Sequence, residues 1–238
     1  MPTAVRDRLG AVTGAAFVVL ILVGNQMATA GSGQSAHPTG DQVLRDAAHE
    51  VSSASVTAGV ALEVLGFAAF LVFLGYLADV LRHPSGGRRG SIAAGAGIVS
   101  GAVMVAVKLG SAAPIMTLWV DHSTISPQLA LVLNDLGAVA FVISWLPFAV
   151  FVAGAAAALR RAGLVGRPTA YCGVVLGAAG LVLTIIGIHD PLSANPQAFL
   201  LGLLWLLAVS VRLAIRPGTG ASAGKAGGRA DARVAVSA

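Results

Sequence analysis

The chain has 238 residues, of which 56% are hydrophobic and 11% charged, and its mean hydropathy is +0.85. A soluble domain carries about 25% charged residues, so this composition excludes a disordered chain, a collagen-like fibre and a disulfide scaffold, and the single Cys172 has no internal partner. A net charge of +5 would point to nucleic acid in a soluble protein; in a chain this apolar it bears on which side of a membrane holds the basic residues, and no nucleic-acid partner is expected.

A bilayer core takes about 20 apolar residues per helix. Six segments meet or approach that length: Leu9 to Ala28, Ala58 to Leu81, Ser91 to Ala112, Leu129 to Leu159, Tyr171 to Ile188 and Phe199 to Ile215. The runs are rich in Ala, Leu and Gly and lack alternation of period two, which predicts helices rather than barrel strands. The expected fold class is all-α, a bundle of six transmembrane helices over residues 1–215, followed by a disordered basic cytoplasmic tail over residues 216–238.

Span 1 follows Arg6 and Arg8. Its end, Ala28-Thr29-Ala30, also has the pattern of a cleaved leader. The length of the run and the interrupting Asn25 and Gln26 favour an uncleaved anchor; cleavage at Ala30 would leave five spans in the same orientation. In the long connection that follows, Thr39-Gly40-Asp41-Gln42 reads as a capping box that starts a short surface helix. Gly97 and Gly101 in span 3, like Gly173 and Gly177 in span 5, are spaced for close helix approach. Ser126-Pro127 reads as an N-cap with Pro at the first helical position, opening span 4. Within that span Pro147 lacks a backbone donor and crowds the carbonyl of Ile143, which predicts a kink there.

The basic residues order the spans. Arg6, Arg8, Arg82, Arg88, Arg89, Arg160, Arg161, Arg167, Arg212, Arg216, Lys225, Arg229 and Arg233 all fall on one side of a six-span model; only Arg45 lies opposite, and Lys108 sits inside a span. The positive-inside rule then puts both termini in the cytoplasm of a multi-pass cell-membrane protein.

A charged residue at a helix centre costs roughly 2.5–3.5 kcal/mol on insertion scales, so each intramembrane ionisable group is a candidate for function. Counting about 20 residues from the cytoplasmic charges places Glu63, Lys108, Asn134, Asp135, His189 and Asp190 near the outer edge, with Asn25 and Gln26 slightly inside it. Polar groups from five of the six spans thus share one depth. Glu63, Lys108 and Asp135 have complementary charges, and no chain of ionisable groups continues from them toward the cytoplasm, which disfavours a proton pump or ion channel. Each also has a plain structural role open to it: Lys108 can snorkel to the headgroups, and Asn134 can bond a neighbouring helix. His49, His122 and His189 lie near Glu50, Asp121 and Asp190, but their spacing is that of no metal motif. Neither metal nor cofactor is expected, and no nucleotide-binding or soluble-hydrolase motif is present.

Several stretches resemble a family of bacterial six-helix membrane proteins known mainly as a domain of unknown function. Arg8-Leu9-Gly10-Ala11-Val12-Thr13-Gly14 opens span 1 much as its members begin, and Lys108 stands where an Arg is expected in that family. The run from Ala158 to Pro168, with the Gly-rich span 5 after it, is similar to its short cytoplasmic turn. The family places Pro before the basic residue there, whereas here Arg167 precedes Pro168. The resemblance implies the six-span topology and no chemistry.

Three functions fit this reading. The first is a binding protein that holds a lipid or other apolar small molecule beneath an outward-facing polar cluster of Asn25, Glu63, Lys108, Asn134, Asp135, His189 and Asp190. The second is a small intramembrane enzyme, such as a terpenoid cyclase, with Glu63 and Asp135 as acid and base and Phe67, Phe70, Phe73, Phe141, Trp145 and Phe148 as its aromatic lining. The third is a structural or partner-assembly role in which the polar layer staples helices.

Overall fold

A computed structural model describes residues 3–29, 37–82, 92–189 and 196–215. Among them are eight helices and no strand: α1 (Thr3–Thr29), α2 (Gly40–Ser52), α3 (Ala54–Arg82), α4 (Ile92–Asp121), α5 (Pro127–Ile143), α6 (Trp145–Arg161), α7 (Arg167–Gly187) and α8 (Gln197–Ile215). Taking α5 and α6 together as one segment, six are long and apolar enough to cross a membrane. The protein is therefore an all-α bundle of the multi-pass membrane type. The basic tail expected after Arg216, and the leader-like Ala30, lie outside the described residues.

Successive spans run antiparallel. One end of the bundle, the terminal end, holds the start of α1 and the end of α8; the opposite end is called distal. α1 lies between α3 and α8, while α6 packs against α4, α7 and α8. Their shared core is aromatic: Phe17 of α1 lies 4.4 Å from Phe70 of α3 (ring centroids), and Phe70 meets Phe151 of α6 edge-on at 5.1 Å. Leu203 and Leu206 of α8 complete it, fully buried.

Small residues set how closely the backbones approach. At Gly97 an added Cβ would lie 3.1 Å from the Ala155 nitrogen, and at Gly177 it would lie 2.6 Å from the Ala149 carbonyl oxygen, so both glycine pairs noted in the sequence are packing sites. The turn between α6 and α7 closes as a Schellman motif, with the Leu164 N–H donating to the Leu159 carbonyl and Gly163 taking a positive φ of 74°. Arg212 Nε and Trp205 Nε1 of α8 donate to the Leu164 and Thr169 carbonyls, fastening α8 to this turn and to the start of α7.

A break in the helix stands where the kink was expected. The fourth span divides at Ser144, one residue past Ile143, whose carbonyl would have paired with the N–H that Pro147 lacks. The Ser144 hydroxyl donates to the Phe141 carbonyl at 2.6 Å, satisfying one acceptor at the break. Span 3, expected to end at Ala112, continues through Pro114 to Asp121. Its extension is held by packing rather than by lipid: Leu118 is buried with Ala130 of α5 and with Val43 and Ala47 of α2. At 30 residues α4 is about 45 Å long, well beyond an apolar core of about 30 Å.

Candidate functional site

α2 organises the distal end. Its N-cap is Thr39, whose side chain accepts the Gln42 N–H while the Gln42 side chain accepts the Thr39 N–H at 2.7 Å, the reciprocal box read from the sequence. Gly40 rests on the backbone of Pro127 so closely that a Cβ there would collide with it. From that point at the head of α5, α2 passes the outer turn of α4, where Trp119 Nε1 donates to Glu50 Oε2 at 3.0 Å, and joins α3 through Ser53. The helix is therefore a strap, about 20 Å long, from the head of α5 to the head of α3.

Below the strap, α1 and α3 cross at Gly24 and Gly59, in backbone contact on both sides. Ser55 Oγ donates to the Met27 carbonyl at the same crossing. One helical turn deeper stands Glu63, half-buried, its Cγ packed across Gly24. Opposite it on α4 is Lys108, whose Nζ lies 3.0 Å from the centroid of the Phe141 ring and within electrostatic reach of the Glu63 carboxylate. The geometry suits an ammonium over a ring face, worth roughly 0.5–2 kcal/mol depending on desolvation. Phe141 meets Trp145 edge-on at 5.6 Å, and Trp145 stacks with Phe199 at 6.0 Å, so aromatic rings continue from Lys108 into α6 and α8. Lys108 is about 24 Å along α4 from the terminal end and Glu63 about 28 Å along α3, so the pair sits at matching height in the distal half.

The other residues singled out in the sequence are placed differently. Gly137 packs on Ile115 and Ser111, which sets Asn134 and Asp135 about two turns beyond Lys108. Asn134 is half-buried on the face of α5 that also carries Ala130, Gly137 and Phe141; Asp135 is turned about 100° away and exposed. Asn25 is half-buried beside the Gly24 crossing, and its carbonyl accepts from the Thr29 hydroxyl. His189 is exposed beyond the end of α7, and Asp190 lies outside the described residues. Among the described residues no three His, Cys, Asp or Glu side chains converge. His122 Nδ1 is hydrogen-bonded to the Trp119 carbonyl at 2.9 Å.

Sequence reasoning missed the Glu50–Trp119 contact. In the sequence Glu50 stands out only as a carboxylate near His49, and a single Trp near a helix end has no partner that spacing alone can identify. The arrangement sets one carboxylate and one ammonium at similar height in the distal half, with aromatic rings continuing from Lys108 through Phe141 to Trp145 and Phe199. No family model, curated protein or solved structure matches this chain.

Proposed function

We propose that this chain is a multi-pass protein of the cell membrane, with both termini cytoplasmic, that binds a lipid or other amphipathic small molecule at the Glu63–Lys108 pair. The observation that carries the reading is the placement of the Lys108 ammonium over the Phe141 ring and within electrostatic range of Glu63, in the half of the bundle away from the termini. Two opposite charges at membrane depth offset part of each other's burial cost. Both residues keep part of their surface exposed, and a head group would approach them from there. The α2 strap lies distal to the pair, so an amphipathic molecule would enter from the lipid side, between α3 and α4. These two helices meet closely at Leu74 and Gly101, nearer the terminal end, and the pair lies beyond that contact.

The acid–base reading needs two carboxylates facing one substrate, and Asp135 is exposed on another face of α5, beyond Lys108. Binding accords better with one carboxylate and one ammonium.

The test is native mass spectrometry of the protein extracted in native lipid discs, wild type beside the Glu63→Gln/Lys108→Met double variant. The double change leaves no unpaired charge behind, so it isolates binding from the destabilisation of a stranded ion. The expected result is a discrete co-purifying mass that the variant lacks. Bulk lipid alone in both, with earlier unfolding of the variant, would make the pair a structural staple and overturn the proposal.

A further inference from the structure

The arginines at the terminal end of the bundle are of two kinds. Arg8 of α1 and Arg82 of α3 each have a carboxylate within three residues on their own helix, Asp7 and Asp79. Around the α6–α7 turn the balance is different. Arg160 and Arg161 end α6, Arg167 begins α7 and Arg212 lies in the last turn of α8, while α6, α7, α8 and the turn itself contain no Asp or Glu. The nearest carboxylate-bearing helix, α1, meets α8 on another face: Gly14 packs on Ser210, and Arg212 is turned about 200° from that residue.

The turn gathers these charges. The Gly163 N–H donates to the Arg160 carbonyl and the Leu164 N–H to the Leu159 carbonyl, so the chain folds back over the end of α6, and Leu164 stands three residues from both Arg161 and Arg167. Arg212 Nε donates to the Leu164 carbonyl at 3.4 Å. That bond holds an exposed guanidinium at the turn and leaves its terminal amino groups for another acceptor. Depth fits a lipid. α7 is about 30 Å long, the thickness of an apolar core, so Arg167 lies at the membrane boundary. At intervals of one turn from it come Tyr171, 70% exposed, and Val175, 64% exposed. One stripe of α7 thus presents a guanidinium at head-group level, an aromatic ring in the interface and an apolar surface below. A zwitterionic head group would bring its own cation to arginines that have no carboxylate to receive it; an anionic one would not.

We propose that the α6–α7 turn and the end of α8 bind the phosphate of an anionic glycerophospholipid, with Arg167 and Arg212 on the head group and the acyl chains along Tyr171 and Val175. The test reconstitutes the full chain in discs of equimolar phosphatidylglycerol and phosphatidylcholine of equal chain length. Native mass spectrometry reads the ratio of the two lipids that stay bound. A basic residue at a charged surface is worth about 1 kcal/mol, or about 5-fold. Two arginines therefore predict that the wild type retains the anionic lipid by about 25-fold, falling to about 5-fold in Arg167→Gln and in Arg212→Gln. Arg212→Gln also cuts the tie to Leu164; Arg167→Gln leaves that tie in place and decides the matter if the other variant fails to fold. Arg82→Gln, which removes a charge from the same end of the bundle, should keep the wild-type ratio, and so should Glu63→Gln/Lys108→Met. Equal retention of the two lipids by the wild type overturns the proposal, as does a preference that survives in Arg167→Gln. An equal loss in Arg82→Gln or in the Glu63→Gln/Lys108→Met variant overturns it too, since the preference would then belong to the whole charged end or to the distal pair.

Discussion

The α1–α3 crossing permits a comparison in which backbone propensity cancels. Gly59 and Gly75 lie on the same helix, so replacing either by Ala makes the same gain in helix propensity, roughly 1 kcal/mol. Their surroundings differ. At Gly59 the new Cβ would stand 2.6 Å from both the Ala28 nitrogen and the Gly24 carbonyl oxygen, whereas at Gly75 nothing lies within 4 Å. The atoms met at Gly59 are backbone, so no rotamer change relieves the clash. α1 must retreat by about 0.8 Å to reach ordinary contact, and the facing Gly24 loses its fit with Glu63 in the same movement. Overpacking of this kind costs about 1–3 kcal/mol. Gly59→Ala should therefore be less stable than Gly75→Ala by about that amount, with Gly75→Ala at or slightly above the wild type. Equilibrium unfolding in mixed micelles, followed by helical circular dichroism, measures the difference. Equal stability of the two variants would mean that α1 and α3 do not touch at Gly59, and the placement of Glu63 would fall with that contact.

Three further outcomes probe the distal end. Thr39→Ala removes one half of the capping box, for about 1 kcal/mol. Amide exchange at Val43 and Leu44 should quicken about 5-fold, and unchanged exchange would show that docking alone holds α2. Glu50→Ala deprives Trp119 Nε1 of its acceptor and should shift that residue's emission to longer wavelength, with Glu50→Gln, which still offers an oxygen, falling between the two; identical spectra would remove the strap's anchor on α4. For orientation, His49→Cys in a Cys172→Ser background places a single thiol on the exposed face of α2. A membrane-impermeant maleimide should label it in intact cells, and labelling only after lysis would invert the topology.

Much of the architecture was legible because it depends on local chemistry. Lipid demands long apolar runs, and the runs were visible; Thr39 with Gln42, Ser126 with Pro127, and Pro147 each act through backbone groups within four residues, so each could be placed from sequence and appears where expected. The end of α4 was not legible. Pro114, Thr117, Trp119 and Asp121 weaken the apolar signal, and what keeps those turns helical is Leu118 meeting Val43, Ala47 and Ala130, residues from two other elements.

The candidate site divides along the same line. Depth follows from counting residues, which is why Glu63 and Lys108 could be assigned a common height. Facing does not follow, because a membrane helix is apolar all round and lacks the polar stripe that orients a surface helix. Asn134 and Asp135 are neighbours in sequence, equal in depth, and about 100° apart on α5; one shares a face with Phe141, and the other is exposed. Glycine content alone does not supply the missing direction, since Gly75, Gly95 and Gly110 have nothing within 4 Å while Gly24, Gly59, Gly97 and Gly154 are in close contact. The second group differs in that each glycine meets another glycine across the helix pair, Gly24 with Gly59 and Gly97 with Gly154. The facing of a span is thus a property of two helices, written in neither one separately. It is also what determines which of several charges at one depth become partners: the Gly24–Gly59 crossing brings Glu63 against α1, and the Gly97–Gly154 contact seats α4, which carries Lys108, on α6.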